Sequence, residues 1–170
     1  MENKTIVLTT LSELFTYNYW ARDRQLEICA GLSEEQFLKP LGGSFASMRD
    51  TLVHMVAVEW LWLERWRGQT PKALLSPEEF PDYPAVKKRW DFVKAEMDLF
   101  LSGLTEEEIE RVKTYVSTRG MTWTYPLWQM MIHLLNHQSY HRGQVTTLLR
   151  QLDVTPAKVD YLDGLDHNFQ

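Results

Sequence analysis

The chain has 170 residues, 44% hydrophobic and 24% charged, a balance that supports one globular domain and argues against a disordered chain. Its net charge of -5 comes with no basic cluster, so nucleic acid is not expected as a partner, because phosphate binding needs a Lys/Arg patch. The single cysteine, Cys29, excludes an internal disulfide and a cysteine-built zinc site. The first residues lack a signal peptide's apolar region and cleavage site, and no apolar run approaches the ~20 residues of a membrane span, so a cytoplasmic protein with no membrane partner is expected.

A first long helix is predicted over about Thr9 to Ala30, where Leu11, Leu14, Phe15, Tyr19, Leu26 and Ala30 recur at helical spacing and Gly31 ends the run. Ser33-Glu-Glu-Gln36 has capping-box spacing and predicts a short helical turn. After a loop through Pro40, Gly42 and Gly43, a second long helix is predicted from about Ser47, as N-cap, to Arg67. A proline-rich connection follows, in which Ser76-Pro77 opens a short helix. The third long helix, about Ala85 to Ser102, carries Val86, Trp90, Val93 and Met97 on one face. Thr105-Glu-Glu-Glu108 starts another short helix. Val112 to Thr124 alternates, is rich in Val, Thr, Tyr and Trp, and has Arg119-Gly120 at its middle, which suggests a small hairpin or an extended loop. The fourth and longest helix is predicted from about Pro126 to Leu152, and the tail shows no clear period. Residues 1–170 therefore read as one all-α domain, a four-helix bundle with short extra helices. Bulky packing is the plain role for most of the seven tryptophans.

Three of the five histidines stand on that last helix, four residues apart: His133, His137 and His141. Residues four apart share a helix face, so either adjacent pair can aim at one metal ion. All three together are awkward, since two turns separate His133 from His141 by about 12 Å. A compact site takes one pair and a third ligand from another helix. His54, alone in an apolar stretch of the second helix, is the candidate. The bland alternative is a set of hydrogen-bonded core histidines. We select His137 and His141 as the pair, with His133 one turn back as an outer-sphere or core residue, and expect His167 to be solvated. Three neutral imidazoles suit zinc, nickel, iron or copper and leave coordination positions for water or substrate. Arg142 and Gln144 are candidates to support the ligands from behind. Gly143, within a helix, is expected to have a packing reason such as a closely approaching neighbour.

The stretch from Thr122 to Leu152, with Asn136-His137 and His141-Arg142-Gly143-Gln144 at its heart, resembles the DinB/YfiT-like family of metal-dependent proteins. Tyr17 to Leu26 looks like that family's first-helix motif, and Ser47 to Trp66 like its second, with one histidine. The resemblance implies a four-helix bundle that is not simply up-and-down, a divalent metal (zinc or nickel expected) on His54, His137 and His141, and homodimers. Family members include transferases and isomerases that use a low-molecular-weight thiol, and many have no known activity. The chain departs from the family pattern at Asp153, where glycine is common and a different helix cap is expected, and at Tyr140, where a second histidine is common.

Two function classes follow. One is an enzyme, a thiol S-transferase or a hydrolase, in which the metal lowers the pKa of a bound thiol or water and a small-molecule substrate is attacked. Asp50, Glu59 and Tyr140 are near enough in sequence to be its acid or base, with nothing to choose between them, and Tyr140 is also a candidate pocket residue. The other is a non-catalytic metal-binding stress-response or sensor protein. Cys29 is expected to be a small buried residue rather than the nucleophile.

Overall fold

The computed structural model describes residues 2–170, with side chains from Ile6 onward. Four long helices dominate: α1 (Glu2–Cys29), α3 (Met48–Trp66), α4 (Tyr83–Ser102) and α6 (Leu127–Gln151). Short helices α2 (Glu34–Leu38), α5 (Glu106–Glu110) and α7 (Tyr161–Asp166), a 3-10 turn at Pro77–Glu79 and the hairpin β1 (Val112–Val116)–β2 (Thr122–Pro126) fill the connections.

Local chemistry sets these boundaries. The Ser33 hydroxyl accepts from Gln36 N while the Gln36 side chain returns to Ser33 N, the reciprocal capping box that starts α2. The Ser47 hydroxyl takes the Asp50 amide and starts α3. Asp82 does the same for α4, two residues earlier than the apolar period suggests, because Pro84 fits a first helical turn. The hairpin turns at Gly120, whose φ of +79° is the left-handed region that glycine enters without strain. α1 begins seven residues before the predicted start, so the amphipathic pattern marks only its packed part.

The long helices pack in the ring α1–α6–α3–α4. Consecutive long helices α1 and α3 therefore sit on a diagonal, as do α4 and α6, which is not an up-and-down bundle. The core has two apolar halves. One gathers Leu26, Phe37, Leu52, Val56, Trp90 and Val145; the other gathers Phe15, Trp62, Trp66, Met97, Met131 and Leu134. Truncating a ring such as Trp66 or Trp90 would cost about 3–5 kcal/mol. Between the halves, buried polar groups stitch helices together. Gln138 Nε2 donates to Met55 O at 2.9 Å and joins α6 to α3; Gln25 Nε2 donates to Arg142 O at 2.9 Å and joins α1 to α6.

One sequence expectation is corrected here. Asp153 does not change the cap of α6. It takes φ of +59°, the left-handed geometry a glycine would supply, and Val154 N closes the helix on Leu149 O at 2.9 Å. The tail, which shows no period in the sequence, contains α7. Six residues are too few to show a period, and α7 is held by tertiary contacts: Tyr17 Oη donates to Val159 O, Trp20 Nε1 donates to Gln170 O, and the Phe169 ring packs where a Gly164 Cβ would stand 2.8 Å away. Among the described residues no helix is long and apolar enough to cross a membrane.

Candidate metal centre

Packing of α3 against α6 brings His54 face to face with the histidine strip. His54 Nε2 lies 3.2 Å from His137 Nε2, and His141 Nε2 lies 3.1 Å from the same atom. One nitrogen from each ring falls within 4.8 Å of the other two. Tetrahedral zinc with Zn–N near 2.0–2.1 Å requires ligand nitrogens about 3.3 Å apart, so the two short separations already match ligation. The donor set fits a borderline divalent ion as well, because all three groups are imidazoles.

The electrostatics keep these rings neutral. Burial, reinforced by the neighbouring His141, lowers His54 to about 4. Burial, then the charges His141, His54 and His133 would carry, lowers His137 to about 3. Burial also lowers His141, partly opposed by its bond to Gln144. At neutral pH each ring thus offers a lone pair without first losing a proton. Neutral Nε2 atoms 3.1 and 3.2 Å apart repel through their lone pairs unless a proton or a cation lies between them.

The supporting shell divides cleanly. Gln144 Oε1 lies 2.7 Å from His141 Nδ1, and an amide oxygen only accepts, so Nδ1 donates and Nε2 is left free for a metal. Gln144 Nε2 in turn donates to Ser44 Oγ at 2.7 Å, which ties the loop before α3 to the site. Phe45 on that loop stacks over His54 with ring centres 4.2 Å apart and stands 5.6 Å from His141. Nothing in the sequence singles out Phe45, because its position depends on how the loop returns. Tyr140 is 63% exposed and stands edge-on to His141 at 5.1 Å. With Phe45, Gly143 and Gln144 it lines a cleft of about 290 Å³.

Arg142 turns away from the histidines. It is buried, donates to Asn18 Oδ1 on α1 and to Ser139 Oγ, and lies over the Tyr17 ring. Arg142 and Gln144 stand about 200° apart around the helix, so only one of them can back the site. His133 is separate from the cluster: its ring centre is 6.5 Å from His137 and 5.1 Å from Trp62, on the wall of an aromatic groove. His167 is exposed. The packing reason expected for Gly143 is absent, since a Cβ there would meet no described atom within 4 Å.

The candidate acids and bases fare unequally. Glu59 is fully buried, accepts from Tyr19 Oη and from Trp90 Nε1 at 2.9 Å, and so faces α1 and α4 rather than α6. Asp50 is one turn before His54 on α3 and pairs with Arg49 Nε at 2.9 Å. Cys29 is wholly buried beside Met48, and burial pushes its thiol up to about 12, so it stays protonated.

Comparison with known proteins agrees with this architecture. The DinB family model matches residues 1–168. The chain belongs to the DinB family. Protein DinB of Bacillus subtilis (strain 168) is 25% identical over 159 residues, covering 88% of this chain and 90% of that protein. The uncharacterized protein YizA of the same organism is 23% identical over 155 residues, covering 89% and 94%. A DinB-like protein crystallised from Bacillus cereus superimposes with a TM-score of 0.64 at 16% identity, over 84% of this chain and 92% of that one, which establishes the shared helical fold.

Proposed function

We propose that this DinB-family chain binds one divalent ion, zinc or nickel, on His54, His137 and His141, and uses it for thiol transfer or hydrolysis on a small molecule. The observation that carries the reading is the convergence of the three Nε2 atoms, two of them 3.1 and 3.2 Å from the third. When bound, the ion supplies Lewis acidity that makes a coordinated thiol or water nucleophilic near neutral pH. The protein's own contribution is orientation. α6 presents two rings on one face, α3 presents the third, and Gln144 fixes the tautomer of His141. Phe45 covers His54 on one side and shields that ring from water. The aromatic groove on the His133 side and the cleft on the Gln144 side leave room for a substrate and a co-substrate thiol next to the three rings. Homodimer formation, which the resemblance implies, and a cytoplasmic setting, which the first residues and the lack of a long apolar run suggest, belong to the same reading.

The first test is elemental analysis of untagged protein, wild type beside His137→Ala. About one equivalent of zinc or nickel in wild type, lost in the variant, is the expected result. No metal in either after incubation with divalent ions would overturn the proposal and leave the three rings as core packing. Light scattering on the same samples reads the dimer.

A further inference from the structure

The hairpin β1–β2 supplies no ligand to the three-histidine cluster, yet it sets an aromatic face against the bundle. Its register pairs Tyr115 with Trp123 and Lys113 with Tyr125. Side chains alternate along a strand, so these four residues share one face. Lys113 is drawn off that face: its Nζ donates to Trp66 O at 3.0 Å and pairs with Glu108 at 2.7 Å. Three rings remain. Tyr115 meets Trp62 of α3 edge-on, with ring centres 5.1 Å apart. Trp123 and Tyr125 lie nearly parallel, 15° apart, and stay 43% and 36% exposed. Gln129, Met130 and His133 of α6 complete a groove of about 430 Å³, within the volume class of small-molecule sites.

The lining selects against charge. Among the described residues it holds no carboxylate, ammonium or guanidinium group. Burial, and then the Arg65 charge, lowers His133 from the ordinary imidazole value, so that ring is neutral at pH 7. Arg65 itself sits behind the groove, its guanidinium carbon 4.5 Å from the centre of the Tyr115 ring and 5.0 Å from that of Trp62. Those two rings already hold one cation, and a second in the groove would be repelled by it. A carboxylate would lose water there and meet no cation in the lining. An uncharged aromatic ring suffers neither cost and gains edge and face contacts with the four rings.

We infer that this groove binds an uncharged, flat aromatic molecule, its ring against Trp62, Trp123 and Tyr125 and its polar substituent toward Gln129 and His133 on α6. The His133 ring centre is 6.5 Å from that of His137, so the occupant lies beside the three-histidine cluster. That the occupant is the substrate rests on the proposed function; its binding does not.

The test is isothermal titration of metal-free protein at pH 7 with four probes: 2-naphthalenemethanol, its puckered analogue decahydro-2-naphthalenemethanol, 2-naphthoate and 2-naphthylmethylammonium. The flat alcohol is expected to bind about three- to tenfold tighter than the puckered one, the worth of ring–ring contact beyond buried area. It should bind about tenfold tighter than either ion, which the uncharged lining leaves without a partner. Trp123→Ala, at an exposed position, should weaken the flat alcohol about tenfold, and Trp123→Phe should recover most of that loss. Should Trp123→Ala fail to fold, Tyr125→Leu reads the same loss. Equal affinity of the flat and puckered alcohols, tighter binding of either ion, or an unchanged affinity in the folded variant would overturn the inference. So would no binding of any probe at millimolar concentration. Because the titration contains no metal, the two readings fail separately: binding of the flat alcohol by a protein that takes up no zinc or nickel sinks the metal centre alone, and metal uptake without probe binding sinks this inference alone.

Discussion

Gln144 offers a sharp probe of the centre, because it touches a proposed ligand without being one. Its Oε1 holds His141 Nδ1 at 2.7 Å, and its amide nitrogen reaches Ser44. Gln144→Leu keeps the helix and much of the side-chain volume but removes the acceptor. His141 then loses its fixed orientation and can place its proton on Nε2, the atom needed for ligation. Losing such a partner typically weakens metal binding 10–100-fold, or about 1.4–2.7 kcal/mol. Gln144→Glu should act the other way. A carboxylate at the same distance accepts more strongly and makes the imidazole a better donor, so affinity should hold or rise. Ser44→Ala removes only the outer bond and should cost about threefold or less. Competition of each variant against a chromogenic zinc chelator at fixed pH measures all three. An unchanged zinc affinity in Gln144→Leu would show that His141 is not held as a ligand by this bond, and the site would need a different third donor.

Further outcomes follow from other parts of the structure. In protein stripped of divalent ions, the folded values near 4 and 3 for His54 and His137 lie below the ordinary value of 6.5. The unfolded chain therefore binds more protons between those values, so stability is complete above about pH 6.5 and falls as the pH drops toward 4; urea midpoints at pH 7.5, 6 and 5 should decline in that order, and a flat series would contradict the neutral, buried assignment. Gly143→Ala adds a Cβ into open space and should raise the melting temperature, by up to about 1 kcal/mol of helix propensity; a loss of stability would mean that the cleft beside Tyr140 is tighter than it stands here. Cys29, wholly buried with its thiol pushed up to about 12, should resist a thiol-specific disulfide reagent in the native protein and react stoichiometrically in guanidinium; rapid native labelling would refute its core role.

Much of the architecture is local chemistry and was readable as such. Ser33, Ser47 and Thr105 start helices because their hydroxyls meet orphan amides within three residues, and no distant contact is needed for that. The His137–His141 pair is equally local, since a four-residue spacing on a helix puts two rings on one face. The helical character of the long segments follows from apolar residues that recur at helical spacing.

What the chain order leaves open is decided by packing. His54 joins the pair only because α3 lies against α6, although the intervening connections place α1 and α3, and α4 and α6, on diagonals. The choice between Arg142 and Gln144 is settled by which neighbour each side of α6 faces: α1 with Asn18 for one, the loop at Ser44 for the other. Phe45, the fold of the tail onto Tyr17 and Trp20, and the seat of Arg65 between the Trp62 and Tyr115 rings have no sequence signal at all. Periodicity and capping act over one or two helical turns, whereas a site built from two helices and a loop depends on distances that only the closed bundle defines.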